Sequence, residues 1–404
     1  MMEFLEPREE TLAQLESLWE QGLIVSAWNL AREQGPLERW APGKTMLMAA
    51  RIASAAGNAK LAGALDILNW RHDRQDPGCF FQALFPRLKW KPPALLLPEI
   101  DAMLKQQSRA MDDETRAELF SFKGWCLGML RDFQTAHQAI GEGLRLAPTS
   151  SWIHIQHSSV LEYEDRYEEA LAAAQEGLRH WKFYRPAVLQ TVDCLVHLNR
   201  DEEAMQLLHK AHDATEHPAF ALRLQAFYSE REDHERGLWC LDEAERRMPL
   251  ITKDLTKWMA GRRADFHYLA GDIDACLEWC DRKDEGFQKY VAEKLRRPDA
   301  RSRQRKRLNV PFIRQHNMTC APATLASLAQ YLGQGPRPPR HRRRHLLQRH
   351  TLAQGAPLGR IPRFHRAGIP SHPRSGHRPD RPRAALHSHH HRRHLGAPAG
   401  LHRL

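Results

Sequence analysis

The 404-residue chain lacks the features that mark membrane and secreted proteins. It contains no run of about 18 consecutive apolar residues, so no membrane-spanning helix is expected. Its N-terminal segment, MMEFLEPREETLAQLESLWE, is acidic and has no continuous apolar region, which predicts the absence of a secretory signal. The seven Cys are odd in number and scattered, which is typical of a reducing compartment. Together these absences predict a cytoplasmic protein without a membrane partner.

Residues 335–404 lack eight residue types, namely Lys, Glu, Val, Tyr, Trp, Cys, Met and Asn. They contain sixteen Arg and a single acidic residue, Asp380, so the net charge of +11 comes from this tail. The rest of the chain is slightly acidic. A segment so poor in β-branched and aromatic residues cannot form strands, and we predict a disordered basic tail.

Three interpretations of this tail remain open. It is a disordered segment that binds nucleic acid non-specifically. Apart from this tail, no nucleic-acid partner is expected. It is a metal-binding tract formed by His387, His389, His390 and His391. Or it is an out-of-frame translation of GC-rich DNA. We favour the third interpretation, because the composition changes abruptly just after a recognisable helix at Gly333.

A stretch in the middle of the chain repeats small side chains at a fixed distance. In Gly124–Pro148, two apolar segments with helical spacing flank a turn at Asp132. Ala136 recurs 34 residues later as Ala170 and again as Ala204. Small side chains let two antiparallel helices approach closely, and few β-branched or alternating segments precede residue 300. We therefore predict an all-α fold of stacked helix pairs. A second small position keeps the same period, at Gly143, Gly177 and Ala211.

This pattern resembles the tetratricopeptide repeat, whose period is about 34 residues. The resemblance implies an α-solenoid over residues 9–295. Its concave face, lined by the first helix of each pair, is expected to bind a peptide or another protein. Trp125 and Trp152 lie on predicted first helices and are candidate partner-binding residues. The alternative is that both rings pack between repeats, as large aromatic side chains usually do.

Residues 78–107 interrupt the regular pattern. Four prolines in this region predict an irregular repeat, with a helix from Pro98 to Ser108. Later pairs are predicted around Gly237 and at the turn formed by Gly271 and Asp272.

No group of residues in the array has the spacing of a metal site. His154 and His157 lie three residues apart, and Cys276 and Cys280 lie four apart, so each pair can share a helix face. Zinc needs further ligands, and none has a suitable spacing. We interpret the histidines as surface residues and the cysteines as packing residues, and predict neither a metal nor a cofactor.

Residues 296–307 are basic and unpatterned, and we predict a linker there. Beyond it, Thr319 is placed to begin a helix whose apolar residues recur with helical spacing. Cys320 is then at the helix N-terminus, where the helix dipole favours the nucleophilic thiolate. Gln315 precedes it by five residues, and its amide is placed to donate to a developing oxyanion.

The segment VPFIRQHNMTCAPATLASL resembles the nucleophile region of cysteine peptidases of the double-glycine, bacteriocin-processing type. The resemblance implies a papain-like domain with Cys320 as nucleophile and Gln315 as oxyanion donor. The commoner pattern has Gly at the position of Ala321, and nothing downstream supplies the catalytic His and Asp. Residues 308–334 are therefore predicted to be the first part of such a domain. This chain is expected to be inactive, with cysteine peptidase activity in an intact parent as the alternative function.

Overall fold

The computed structural model describes residues 4–106, 111–300, 308–313, 315–316 and 319–333. It divides into two compact units. The helical unit contains every helix up to Leu295, and the second unit contains the segment Asn309–Ile313 and one further helix. The predicted tail at 335–404, with its histidine tract, lies outside the described residues, and so does 301–307 of the predicted linker.

In the ranges just given, eighteen α-helices and one short 3-10 turn occur, without a strand. The prediction of an all-α fold is confirmed. In chain order the helices are α1 (Glu9–Glu20), α2 (Ile24–Glu33), α3 (Lys44–Ala55), α4 (Ala59–His72), α5 (Pro77–Arg87), α6 (Pro93–Gln106), α7 (Asp113–Met129), α8 (Phe133–Leu146), α9 (Ser151–Tyr163), α10 (Tyr167–His180), α11 (Arg185–His197), α12 (Asp201–Ala214), α13 (Pro218–Glu230), α14 (His234–Arg246), α15 (Lys253–Ala270), α16 (Ile273–Lys283), α17 (Gly286–Leu295) and α18 (Cys320–Tyr331).

The helix boundaries follow the 34-residue period. Helices α8, α10 and α12 begin 34 residues apart. Ala136, Ala170 and Ala204 occupy the same position in these helices, and all three are fully buried. The helical unit is thus a solenoid of tetratricopeptide-type helix pairs, as the sequence predicted.

Close contact between the two helices of a pair explains the small residues. A Cβ atom added at Gly124 on α7 would lie 2.7 Å from Ile140 Cγ1 and 2.9 Å from the Ala136 carbonyl oxygen on α8. At Gly143 an added Cβ would lie 3.0 Å from the Ala117 carbonyl oxygen. Larger side chains would force the helices apart, so the repeated small residues set the spacing within each pair.

The sequence predicted a helix from Pro98 to Ser108, and this prediction placed the start of the helix five residues too late. Helix α6 begins at Pro93 and contains Pro98 in its interior. Proline is well suited to the first turn of a helix, where its missing N–H has no intrahelical partner. At Pro98 the lost hydrogen bond is offset by burial, because the flanking Leu96 and Ile100 are fully buried.

From α7 to α11, the odd-numbered helices lie on the inner side of the array. Helix α9 packs against both α7 and α11, whereas the even-numbered helices α8 and α10 make little contact with each other. A row of helix pairs that is tighter on one side curves toward that side. From α7 to α11, the odd-numbered helices therefore line the inner face, and the even-numbered helices form the outer face.

The curvature brings the first two helix pairs against pairs that lie much later in the chain. The Gly22 carbonyl oxygen accepts a hydrogen bond from the Glu216 amide at 2.9 Å, and the Ala56 carbonyl oxygen accepts one from the Leu250 amide at 3.0 Å. The carboxylate of Glu216 also accepts hydrogen bonds from the Ser26 amide and hydroxyl, at 3.0 and 3.2 Å. We call this set of interactions the closure contact. It places a negative charge at the N-terminus of α2, where the helix dipole favours it.

The second unit contains α18, which begins at Cys320 as the sequence predicted. The hydroxyl of Ser327 donates a hydrogen bond to the Pro311 carbonyl oxygen and so joins α18 to the preceding segment. Across both units, none of the helices that the structure describes is long and apolar enough to cross a membrane.

Two glycines provide a matched test of the spacing between α7 and α8. We expect Gly124→Val to lower the free energy of unfolding by about 1–3 kcal/mol, because the new side chain overlaps Ile140 and backbone atoms. At Gly141, which is exposed on α8, an added Cβ meets nothing within 4 Å. Gly141→Val should leave stability within about 0.5 kcal/mol. Urea unfolding followed by circular dichroism measures both, and equal effects would contradict this account of the repeat.

Candidate partner-binding site

The closure contact assembles a row of aromatic side chains from distant parts of the chain. Trp19 lies edge-on to Trp181 with ring centroids 5.5 Å apart, and Trp181 stacks on Tyr184 at 4.2 Å. The Arg51 guanidinium lies over the Trp19 ring, 4.9 Å from its centroid. The Trp181 indole N–H donates to the Glu20 carbonyl oxygen at 3.0 Å, which fixes the row to α1. We call Arg51, Trp19, Trp181 and Tyr184 the aromatic row.

Two carboxyl groups lie within electrostatic range of Arg51. Burial raises the pKa of Asp66 to about 7, against the opposing effect of the Arg51 charge. Burial and the nearby Glu114 raise the pKa of Glu118 to about 8, again against Arg51. Both side chains are only half-buried, so water reaches them although protein surrounds them. We call Asp66 and Glu118 the inner acid pair.

Neither member of the inner acid pair is paired with another side chain in the structure. Within the described ranges, no hydrogen bond or ion pair involves the Asp66 or Glu118 carboxyl group, and the same holds for the Arg185 guanidinium. Burial lowers the pKa of Arg185 and raises the pKa of Tyr184 to about 12. Ionisable groups in a poorly solvated space normally have partners, because their desolvation is costly. The free groups can therefore accept polar atoms of a bound molecule.

The arrangement is suited chemically to a cationic side chain. Two carboxyl groups with raised pKa values can each give up a proton to become the partner of a positive charge. The exposed faces of the aromatic row add a surface on which a guanidinium or ammonium group can lie. Sequence reasoning missed this site because its residues are up to 165 positions apart and share no motif.

The predicted anchors Trp125 and Trp152 lie in a different region, among aromatic side chains between repeats. Trp125 lies 5.4 Å from the Phe122 ring, and its indole N–H donates to the Tyr163 hydroxyl at 3.2 Å. The Trp152 ring lies 5.4 Å from Phe85. Both indoles are half-buried in this cluster, which is the packing role considered as the alternative. Partner binding by Trp125 and Trp152 stays a prediction.

The cysteine pair on α16 is fully enclosed. Cys276 and Cys280 are buried among Ala264 and Ala292, and burial raises the pKa of Cys276 to about 12. This environment agrees with the packing role that the sequence suggested.

The predicted catalytic residues are both exposed to solvent. Cys320 is the first residue of α18 in the second unit, and its side chain is exposed. Gln315 lies in an irregular segment assigned to the helical unit and is also exposed. The described residues of the second unit contain no histidine and no carboxylate side chain. The nucleophile and oxyanion roles of Cys320 and Gln315 stay predictions.

Sequence comparisons give no family for this chain. No protein-family model matches it, and neither does any curated protein.

Several solved structures share its helical architecture at low identity. A chain of the APC/C hetero-tetramer Cut9–Hcn1 is 11% identical with a TM-score of 0.48, over 64% of this chain and 49% of that chain. PilW, a type IV pilus biogenesis factor, is 12% identical with a TM-score of 0.40, over 56% and 97% of the two chains. A tetratricopeptide repeat protein from Parabacteroides merdae is 14% identical with a TM-score of 0.38, over 62% and 96%. The fold assignment rests on the 34-residue period of the helices themselves.

The raised pKa values of the inner acid pair make the stability of the chain depend on pH. The native carboxyl groups keep their protons up to about pH 7 and 8, whereas in the unfolded chain they lose them near 4. Between these limits the native state binds more protons, so the free energy of unfolding falls as pH rises. We expect the melting temperature of Asp66→Asn/Glu118→Gln, relative to that of the wild type, to be higher at pH 8.5 than at pH 5.

Thermal unfolding across this pH range measures the difference. The control is Glu168→Gln/Asp213→Asn, which removes two exposed carboxylates from the even-numbered helices α10 and α12. Its melting temperature should differ from that of the wild type by a similar amount at every pH. If the melting temperature of Asp66→Asn/Glu118→Gln also differed from that of the wild type by the same amount at every pH, the raised pKa values would be refuted.

Proposed function

We propose that the helical unit is a protein-interaction scaffold that binds a peptide or protein segment on its inner face. The observation that supports this proposal is the inner acid pair, two unpaired carboxyl groups within electrostatic range of Arg51, which belongs to the aromatic row. The segment presents a Lys or Arg side chain to Asp66 and Glu118. Its neighbouring apolar atoms lie against Trp181 and Tyr184.

The energetics favour a cationic partner over a neutral one. A neutral ligand would leave the carboxyl groups protonated and add only ordinary hydrogen bonds. A cation allows each carboxyl group to ionise and forms charge-assisted hydrogen bonds, which are roughly twice as strong as neutral ones. Such bonds contribute about 1.5–3 kcal/mol each. Because about 1.4 kcal/mol corresponds to a tenfold change in affinity, each bond strengthens binding at least about tenfold.

A random peptide library displayed on phage tests the proposal without knowledge of the natural partner. We expect peptides selected on the wild-type chain to be enriched in Lys or Arg at one position. Fluorescence anisotropy should show that these peptides bind Asp66→Asn/Glu118→Gln at least about tenfold more weakly. Binding to Glu168→Gln/Asp213→Asn, which also replaces two carboxyl groups by amides, should be unchanged. Selected peptides without a basic residue, or with equal affinity for both double variants, would overturn the proposal.

A second candidate function is supported by the exposed thiol at the start of α18. We propose that residues 308–334 are the beginning of a peptidase-like domain of a cytoplasmic protein. A cysteine nucleophile needs a base to take up its proton, and the described part of this unit contains none.

For the chain with this sequence we therefore expect no cleavage of peptides that contain a double-glycine site. Mass spectrometry of such peptides after incubation with the wild type and with Cys320→Ala measures this directly. Cleavage by the wild type alone would show that the chain is a cysteine peptidase as it stands.

A further inference from the structure

The outer face of the array contains a groove between α8 and α10 that the proposed partner site does not use. Its volume is about 500 Å³, and His154, His157 and Leu161 of α9 form its floor. The groove exists because the even-numbered helices separate on the outer side of the curve. His137 lines its α8 side, so the groove is rich in imidazole groups.

Three donor side chains converge at this groove. Donor atoms of His154, Glu176 and His180 all lie within 4.8 Å of one another. Glu176 and His180 are one turn apart at the end of α10, and His154 lies in the first part of α9. His180 Nε2 is 3.0 Å from Glu176 Oε1. Ligand atoms of tetrahedral zinc, with bonds of about 2.0–2.1 Å, lie roughly 3.3 Å apart, so small side-chain rotations bring the set together.

The surroundings of His154 leave one ring nitrogen available. Its Nε2 lies 2.8 Å from the Pro148 carbonyl oxygen. A carbonyl oxygen can only accept a hydrogen bond, so Nε2 carries the proton and Nδ1 keeps its lone pair. A histidine that binds a metal usually donates its other N–H to a carbonyl or carboxylate in this way.

The carboxylate of Glu176 is likewise oriented by a residue that is not one of the three donors. The Arg179 guanidinium pairs with Oε2, and Oε1 faces His180. Arg179 thus orients Oε2, and Oε1 faces His180 as a free ligand atom. His180 is exposed, and its ring stacks on that of His154 with centroids 5.5 Å apart.

We propose that His154, Glu176 and His180 form a binding site for a divalent transition-metal ion that prefers imidazole ligands, with zinc as the expected ion. Two imidazole nitrogens and one carboxylate oxygen are a common three-residue ligand set for zinc, and the fourth position is open to water or to a donor from a partner. The ion joins the beginning of α9 to the end of α10. This site is independent of the proposed function, because it lies on the outer face and shares no residue with the inner acid pair.

Isothermal titration with zinc chloride tests the site in the full-length chain. Because a histidine tract of the kind found in the tail can also bind metals, the titration uses a background in which His387, His389, His390 and His391 are replaced by Gln. We expect one zinc ion to bind at the helical unit of this background. Adding His180→Gln or Glu176→Gln should weaken that binding at least roughly tenfold, since each removes a ligand.

His157→Gln is the matched control, because His157 lies in the same groove and outside the donor set. It should leave zinc affinity unchanged. Zinc should also raise the melting temperature of the background chain, measured by circular dichroism at the helix band, and not that of His180→Gln. Absence of zinc binding by the background chain, or equal binding by His180→Gln and His157→Gln, would overturn the proposal. Since His180 is exposed, unchanged circular dichroism of its variant separates ligand loss from misfolding.

Discussion

The closure contact is the constraint on which the rest of the helical unit depends. Two backbone carbonyl groups, at Gly22 and Ala56, accept hydrogen bonds from amides that are each 194 residues further along the chain. Gly22 and Gly57 adopt positive φ values of 73° and 102°, and an added Cβ at either would lie 3.0 Å from a side chain of the opposite pair. Glycine is therefore required twice over, for the backbone conformation and for the close approach.

The curvature that produces this contact begins inside each pair. Small residues allow the paired helices to approach closely, and the odd-numbered helices α7, α9 and α11 pack more tightly against one another than the even-numbered ones do. The same curvature has two consequences. It brings Arg51 within electrostatic range of Tyr184, and on the outer side it opens the histidine-lined groove.

The parts of the fold that could be predicted from the sequence are those with a local, repeated steric cause. Ala136 and its equivalents recur because every pair needs a small side chain at the same contact, so their burial was predictable from the period alone. The start of α18 at Cys320 is also local. The extent of α6 was not predictable from proline content, because burial of Leu96 and Ile100 outweighs the cost at Pro98.

The candidate sites were less accessible to sequence reasoning, since each combines groups from separate elements. The spacing of His154 and His157 drew attention to α9, whereas the donors that converge with His154 lie at the end of α10. The inner acid pair and the aromatic row come from α1, α3, α4, α7 and the segment between α10 and α11, which are far apart in the sequence. These charged and aromatic residues do not recur with the 34-residue period. Their proximity depends on the accumulated curvature of several helix pairs.

In the proposed function, the unpaired acids also couple partner binding to proton release. In the free chain near neutral pH, Asp66 and Glu118 hold protons because ionisation would leave a poorly solvated negative charge. In the proposed function, a cation beside either carboxyl group supplies the missing partner, lowers the pKa of that group and releases its proton. Binding is then stronger at higher pH, in the range where the free chain is less stable. The proposed function therefore predicts that partner affinity and the stability of the free chain change in opposite directions with pH.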